Sequence, residues 1–210
     1  MINIAAVDIS SLDEPGYRIL YHRASADRRK KADRYLRKED SYRCIAADGL
    51  LRYALKQASG ISCPQILRTP KGKPFLRGQD SFHFNISHSG RWVVIAWGDR
   101  PVGIDVEMMD FDAGKEQLAC RFFHMDEQSY VFAAQAQEQS KRFYEIWTKK
   151  ESYLKYLGTG IDCALNSFSV LQPMDTVFDS RSLEDAVLTV CSQEPPCQFI
   201  PVTVEQLLSV

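Results

Sequence analysis

The pattern of hydrophobic and polar positions predicts a strand at the amino terminus and then a long helical region that begins near Ser25. Apolar residues recur there at the spacing of a helix with one buried face: Leu51, Ala54, Leu55 and Ala58. Proline and glycine in 63–78 predict a loop. Three short apolar runs at 82–86, 92–97 and 102–107 follow, separated by glycine-containing turns, and predict a small antiparallel meander.

The pattern then becomes helical, is interrupted near His124, and continues as a helix over 138–157. Gly158 and Gly160 are expected to end this helix, because glycine adopts the left-handed conformation common after the last helical turn. The apolar stripe of the helix comprises Phe143, Ile146, Trp147, Leu154 and Leu157.

Strand-like runs at 167–170 and 185–191 close the pattern. The order of elements predicts an α+β fold of two similar halves, each a small antiparallel sheet packed with helices. We place the halves at 1–101 and 102–210, with a site at their interface.

The composition is that of an ordinary globular protein, with 45% hydrophobic and 25% charged residues and a net charge of -1. This charge argues against general nucleic-acid or membrane binding. The first residues lack the features of a secretory signal, and the six cysteines show no CxxC spacing, so we expect reduced thiols and a cytoplasmic location.

Basic residues outnumber acidic ones in 23–43 and include Arg28, Lys31 and Arg43. A solvated helix face explains such a stretch most simply. A docking surface for a polyanionic ligand is the alternative.

Two carboxylates, Asp105 and Glu107, are two residues apart in a predicted strand and therefore share one face. Adjacent carboxylates repel each other unless a cation lies between them, and oxygen ligands suit Mg²⁺. An exposed strand with alternating charges gives the same pattern. Glu151, at the edge of the stripe on the helix 138–157, could complete a site of three carboxylates.

Two lysines accompany Glu151 on this helix. Lys155 follows it by one turn, as in a surface ion pair. Lys150 points into the apolar stripe, which is costly for a structural residue unless an anion or carboxylate meets it, and this favours a functional role.

Two further segments are candidates for phosphate contact. The turn FNISHSG, 84–90, carries Ser87, His88 and Ser89, without a nucleophile arrangement that would indicate a hydrolase. The loop with Lys73 and Pro74 (KGKP) combines positive charge with a flexible backbone, but lacks the spacing of a Walker A loop.

GKP, FNISHSG, GIDVE and WTKKESYLK, in this order, resemble the 4′-phosphopantetheinyl transferases, and more narrowly the surfactin-synthetase-activating (Sfp-like) type. The resemblance implies transfer of 4′-phosphopantetheine from coenzyme A, the co-substrate, to a serine of an apo acyl or peptidyl carrier protein. Adenosine 3′,5′-bisphosphate is the other product. It further implies a monomer that needs Mg²⁺, with Mn²⁺ as a possible substitute.

The residue roles that the resemblance implies fall on both halves. Asp105, Glu107 and Glu151 match the magnesium ligands; Glu151 is the candidate base, with Lys155 and His88 as the other catalytic residues. Contacts to coenzyme A are implied for Arg28, Lys31, Arg43, Lys73, Pro74, Ser87, His88, Ser89, Lys150 and Lys155.

Two departures and two alternatives accompany this interpretation. Position 28 is arginine where a lysine is frequent, and the chain after Val170 is shorter than is usual, which leaves the topology of 171–200 open. A magnesium-dependent phosphodiesterase also uses clustered acids and a lysine. A non-catalytic coenzyme A-binding protein would keep the fold without the chemistry.

Overall fold

The computed structural model describes residues 1–58, 65–110, 114–160, 164–196 and 198–210. The fold is α+β, as the sequence predicts. The strands are β1 (Ile2–Asp8), β2 (Ile66–Arg68), β3 (Pro74–Leu76), β4 (His83–Ser89), β5 (Trp92–Gly98), β6 (Val102–Met108), β7 (Val177–Ser182), β8 (Ala186–Ser192) and β9 (Gln198–Val202). The helices are α1 (Glu14–Arg23), α2 (Ala26–Ala32), α3 (Lys38–Ala58), α4 (Lys115–Phe122), α5 (Met125–Phe132), α6 (Ala136–Leu157) and α7 (Val204–Leu208).

The first sheet has the order β4-β5-β1-β9. Strands β4 and β5 form the predicted hairpin, and β1 lies antiparallel to β5. Strand β9 is parallel to β1. The long helix α3 covers one face of this sheet and contributes Ile45, Leu50 and Leu51 to its core.

Strand β6 does not extend the β4–β5 hairpin, so the predicted three-stranded meander is wrong at its third strand. β6 instead begins a second sheet with the order β6-β8-β7. Its inner residues Val102, Ile104 and Val106 are fully buried against the first sheet. Periodicity alone cannot separate a strand that continues a sheet from one that folds over it, because both bury one face.

The two sheets pack together and share a core. This core is formed by alternate apolar residues of β1, β5, β6 and β8: Ile2, Ile4, Ala6, Val94, Ala96, Val102, Ile104, Val106, Ala186, Leu188 and Val190. Helix α6 packs against β6 and β8 on the other side of the second sheet. The architecture of two similar α+β halves is thereby confirmed.

The end of the chain returns to the first sheet. Strand β9 pairs with β1, and α7 buries Val204 and Leu207 in the core beneath α3. Residues from 198 onward, which follow the second sheet in sequence, therefore pack with the first.

Several local predictions change. The segment 63–78, predicted as a loop, contains the hairpin of β2 and β3. Ser25 does cap a helix, because its hydroxyl accepts a hydrogen bond from the Arg28 amide, but α1 precedes it. The strand predicted at 167–170 is instead a 3₁₀ turn, Leu165–Ser167, and irregular backbone whose carbonyls bind a buried lysine.

The strand predicted at 185–191 is confirmed as β8, and Gly158 ends α6 with φ of 69°. Cys44, Cys120 and Cys191 are free thiols, of which Cys120 is exposed; the other three cysteines lie outside the described residues. Among the helices described, none has the length and apolarity needed to cross a membrane.

Candidate active site

Strand β6 presents Asp105 and Glu107 on the face opposite its buried valines and isoleucine, as its period of two requires. Helix α6 lies against the same strand and brings Glu151 and Lys155 to this face. Gly103 makes the close approach possible, because a Cβ there would lie closer than 3.0 Å to the Ser152 carbonyl oxygen.

A triangle of hydrogen bonds connects Asp105, Ser87 and Lys155. The Lys155 Nζ lies 2.6 Å from Asp105 Oδ1 and 2.9 Å from Ser87 Oγ. The Ser87 hydroxyl donates to the same Asp105 oxygen over 2.8 Å. Asp105 is only 3% exposed, and its other oxygen, Oδ2, is buried without a hydrogen-bond partner in the described part of the chain.

Glu107 lies two residues after Asp105, on the same face of β6. The Ser89 hydroxyl donates to Glu107 Oε2 over 2.7 Å. Burial and the neighbouring Asp105 carboxylate raise the pKa of Glu107 to about 7, against the opposing effect of Ser89. Lys155 also opposes the shift, because a nearby positive charge favours the ionised form.

Glu151 experiences a similar environment. Burial, followed by repulsion from Asp105, raises its pKa above the ordinary glutamate value, while Lys155 opposes the shift. The cavity between these side chains has a volume of about 390 Å³. It is lined by four charged residues, Asp105, Glu107, Glu151 and Lys155, and by Ile86, Ser87, His88 and Trp147.

The polar face of β4 was not anticipated as a unit. Asn85, Ser87 and Ser89 alternate along the strand and point toward β6. Asn85 Oδ1 accepts from the Ile104 amide over 2.9 Å, and Ser89 Oγ accepts from the Met108 amide over 3.1 Å. These side chains replace backbone pairing between the sheets. The period-two polar pattern within FNISHSG was the signal that could have revealed them.

His88 lies between Ser87 and Ser89 on β4, points to the opposite face, and is exposed at the mouth of the cavity. Partial desolvation by surrounding protein atoms lowers its pKa, and three nearby cations, Arg43, Lys155 and Lys31, lower it further. The structure thus brings residues of the basic segment to the edge of the carboxylate cavity.

Arg43 and Arg28 are held in place by the first half. Arg43 donates to the Gly90 carbonyl over 2.7 Å and to Asp40 over 2.6 Å, which fixes it beside the β4–β5 turn. The Arg28 Nε lies 3.5 Å from the buried carboxylate of Asp48, and the Arg28 side chain is 17% exposed.

The loop KGKP connects β2 to β3. Pro74 begins β3 and is partly buried. The Lys73 ammonium turns inward and donates to the carbonyl oxygens of Lys155 and Tyr156 over 2.6 and 2.9 Å. Its charge is therefore directed to the end of α6.

Lys150 is not among the residues that line the cavity, and the structure does not bring it together with the carboxylates. Its side chain is 1% exposed and pairs with the equally buried Glu127 over 2.8 Å. It also donates to the carbonyls of Leu165 and Phe168 over 2.7 and 2.6 Å. The anion that meets Lys150 is thus a core glutamate rather than a ligand.

The three carboxylates of Asp105, Glu107 and Glu151 are ligands of the kind that a hard divalent cation prefers. Within the described ranges, no three His, Cys, Asp or Glu side chains converge as a ready-made metal cage, and the Lys155 ammonium occupies the position beside Asp105. Asp105 Oδ2, which has no hydrogen-bond partner among the described residues, lies in the same cavity as the Glu107 and Glu151 carboxyls, and carboxyl oxygens are the ligands that such a cation prefers.

Comparisons with known proteins agree with this geometry. Residues 101–198 match the model of the 4′-phosphopantetheinyl transferase superfamily, and residues 14–99 match the model of the N-terminal part of 4′-phosphopantetheinyl transferases. A 4′-phosphopantetheinyl transferase of Bacillus subtilis is 40% identical over 148 residues, which are 70% of this chain and 65% of that relative.

Two further relatives carry the same description. The 4′-phosphopantetheinyl transferase Sfp of Bacillus subtilis (strain 168) is 37% identical over 148 residues, 70% of this chain and 65% of its own length. The 4′-phosphopantetheinyl transferase psf-1 of Bacillus pumilus is 33% identical over 205 residues, 93% of this chain and 82% of its own length. The chain belongs to the 4′-phosphopantetheinyl transferase family, of the Sfp-like type, which confirms the resemblance seen in the motifs.

Proposed function

We propose that this protein transfers 4′-phosphopantetheine from coenzyme A to a serine hydroxyl of an apo acyl or peptidyl carrier protein. The observation that carries the proposal is the shared cavity of Asp105, Glu107, Glu151 and Lys155, in a chain of this family. The reaction needs charge stabilisation at phosphate oxygens and a base for the serine, and these side chains offer both.

The proposed reaction exchanges a phosphoanhydride bond of coenzyme A for a phosphodiester bond to serine. The serine oxygen bonds to the β-phosphorus, the bond from this phosphorus to the oxygen bridging to the α-phosphorus breaks, and adenosine 3′,5′-bisphosphate leaves. Glu151 takes the serine proton; its raised pKa makes it a stronger base than an exposed glutamate. The Lys155 ammonium neutralises charge on the departing phosphate.

Asp105, Glu107 and Glu151 are the residues that would hold Mg²⁺, or Mn²⁺ in its place. The bound ion supplies positive charge next to the phosphate oxygens that gain negative charge during transfer. Without it, these carboxylates would repel the diphosphate of coenzyme A.

For coenzyme A we propose contacts mainly with the first half, 1–101. Lys31, Arg43 and Arg28 would meet the 3′-phosphate end, since they lie on or next to the helices that flank the β4–β5 turn. The KGKP loop with Pro74 would contact the nucleotide through its backbone. Ser87, His88 and Ser89 would orient the phosphates beside the carboxylates of the second half, 102–210. We further propose that the protein acts as a monomer in the cytoplasm.

Intact-protein mass spectrometry tests the proposal. An apo carrier protein is incubated with this protein, coenzyme A and Mg²⁺, with and without a chelator, and a carrier whose acceptor serine is replaced by alanine is the matched control. We expect a mass gain of one phosphopantetheine, abolished by the chelator and by the serine substitution.

Two other outcomes would contradict the transferase. Coenzyme A binding in calorimetry without modification of several carriers would indicate a non-catalytic binding protein. Metal-dependent cleavage of coenzyme A or of a phosphodiester probe, with no gain on the carrier, would indicate a phosphodiesterase.

A further inference from the structure

The side chain of Lys73 crosses from the first half of the molecule to the end of helix α6. Besides the carbonyls of Lys155 and Tyr156, its Nζ lies 3.3 Å from the carbonyl oxygen of Val102, the first residue of β6. A single ammonium therefore contacts the helix that carries Lys155 and the strand that carries the paired carboxylates.

The last turn of α6 has carbonyl groups that require hydrogen-bond donors from outside the helix. The last carbonyls of a helix have no partner within the helix and carry partial negative charge. The Gly158 amide satisfies one of them, the Leu154 carbonyl, over 2.9 Å. Lys73 supplies donors to the carbonyls of residues 155 and 156, so the last turn is closed by a side chain from another element.

The backbone around this contact is shaped for it. A Cβ at Gly158 would lie 2.9 Å from the Lys73 Cδ, so the glycine leaves room for the lysine to pass. Burial lowers the pKa of Lys73 to about 8, which agrees with an ammonium that has left bulk water.

The turn that carries Lys73 is itself held firmly. The Lys73 amide donates to Thr69 Oγ1 over 3.1 Å, and the Thr69 amide donates to the Lys73 carbonyl over 2.9 Å. The Gly72 amide donates to the Thr69 carbonyl over 2.8 Å, and Arg68 donates to the Gly72 carbonyl over 2.8 Å. The lysine thus projects from a fixed support.

We propose that Lys73 is a positioning residue: its ammonium caps the last turn of α6 and joins it to the start of β6, keeping Lys155 aligned with Asp105. Lys155 lies within the capped turn, and its Nζ lies 2.6 Å from Asp105 Oδ1. A frayed turn would displace this ammonium, and a displacement of about 1 Å is enough to slow a reaction about a hundredfold. The consequence for turnover rests on the transferase function proposed above, whereas the capping does not.

The test compares Lys73→Met with Lys56→Met, which removes an exposed positive charge from the last turn of α3. The methionine keeps the length of the side chain but has no donor. We expect Lys73→Met to lower kcat on the order of tenfold to a hundredfold, with the KM for coenzyme A changed less than about twofold. Amide hydrogen exchange at 155–159 should become faster in Lys73→Met and stay unchanged in Lys56→Met.

A second variant guards against misfolding. Lys73→Arg retains a donor and a positive charge, and it should preserve most of the slow exchange at 155–159 and most of kcat. A raised KM with normal kcat and normal exchange in Lys73→Met would overturn the proposal and place Lys73 on the nucleotide. If the wild-type protein shows no transfer, the proposed function fails, while hydrogen exchange still decides whether Lys73 caps the helix.

Discussion

At the scale of single residues, Glu151 and Lys150 show how strongly one position along a helix changes the role of a charge. Successive helical residues point about 100° apart, so neighbours in sequence face different surroundings. Glu151 faces the cavity with Asp105, whereas Lys150 is buried with Glu127. Of these two adjacent residues of α6, Glu151 is thus placed for chemistry and Lys150 for packing. Separate substitutions can distinguish the two roles.

Replacement of Glu151 by glutamine should remove the proposed base without removing the side chain's volume. We expect kcat to fall by about 10²–10⁴-fold while coenzyme A still binds, because an amide cannot accept the serine proton. Steady-state kinetics with an apo carrier and calorimetry with coenzyme A measure the two effects. Glu138→Gln, on the exposed first turn of the same helix, is the control and should change neither. Normal turnover by Glu151→Gln would exclude Glu151 as the base.

Replacement of Lys150 by methionine should lower stability rather than weaken coenzyme A binding. Glu127 would remain buried with its negative charge unpaired, and breaking such a pair costs about 3–5 kcal/mol. Urea denaturation measures this loss, and calorimetry at a temperature where the variant is folded should give an unchanged Kd for coenzyme A. The control is Lys149→Met, whose partner Glu145 is partly exposed, and it should cost at most about 1 kcal/mol. A weakened Kd with intact stability would restore Lys150 to the binding site.

At the scale of elements, the site depends on how closely α6 approaches β6. The contact is made backbone to backbone at Gly103, where a Cβ would lie closer than 3.0 Å to both Ser152 O and Tyr156 N. Because both atoms belong to the helix backbone, no side-chain rotation can relieve the overlap. The glycine in GIDVE therefore sets the distance between the carboxylate strand and the helix that carries Glu151 and Lys155.

Gly103→Ala should push α6 away from β6 and affect stability and turnover together. Overpacking of this kind costs about 1–3 kcal/mol, and a displacement near 1 Å can reduce turnover about a hundredfold. Thermal unfolding and carrier modification measure the two effects. Gly114→Ala is the control, because its Cβ would meet no atom of the described residues within 4 Å. Unchanged stability and turnover in Gly103→Ala would show that the helix tolerates a larger separation.

The sequence predicted best the elements whose hydrophobic periodicity reflects a single buried face. Helix α6 and strand β6 belong to this group, and they place Glu151 on the same side as Asp105. Contacts between distant segments produce no periodic pattern, so they were not predicted. The partner of Lys150 lies 23 positions earlier in sequence, at Glu127, and the carbonyls bound by Lys73 belong to another half. The sequence predicts contacts of both lysines with coenzyme A, whereas their contacts with these groups of the protein leave no trace in periodicity.

At the scale of the whole molecule, the two halves are joined by more than the short connection between β5 and β6. Their sheets share one apolar core, and β9 runs from the second half back to β1 in the first. Removal of water from this shared surface favours both halves at once. The sequence order of elements predicted the halves but not this return, because a parallel pairing with β1 requires a partner almost 200 residues away.

This arrangement leads us to expect that the halves unfold as one cooperative unit. Leu207→Ala, in the core beneath α3, should lower the free energy of unfolding by about 2–5 kcal/mol, since the leucine is fully buried. Native-state hydrogen exchange should report the same decrease for protected amides of β5 and of β8, although β8 lies in the other sheet. Leu36→Ala is the control and should change neither, because Leu36 is fully exposed.

If β8 kept its protection while β5 lost it, the second half would be stable by itself. The carboxylates of β6 and the serines of β4 would then belong to units that can separate, and the site between them would depend on ligand to hold it together.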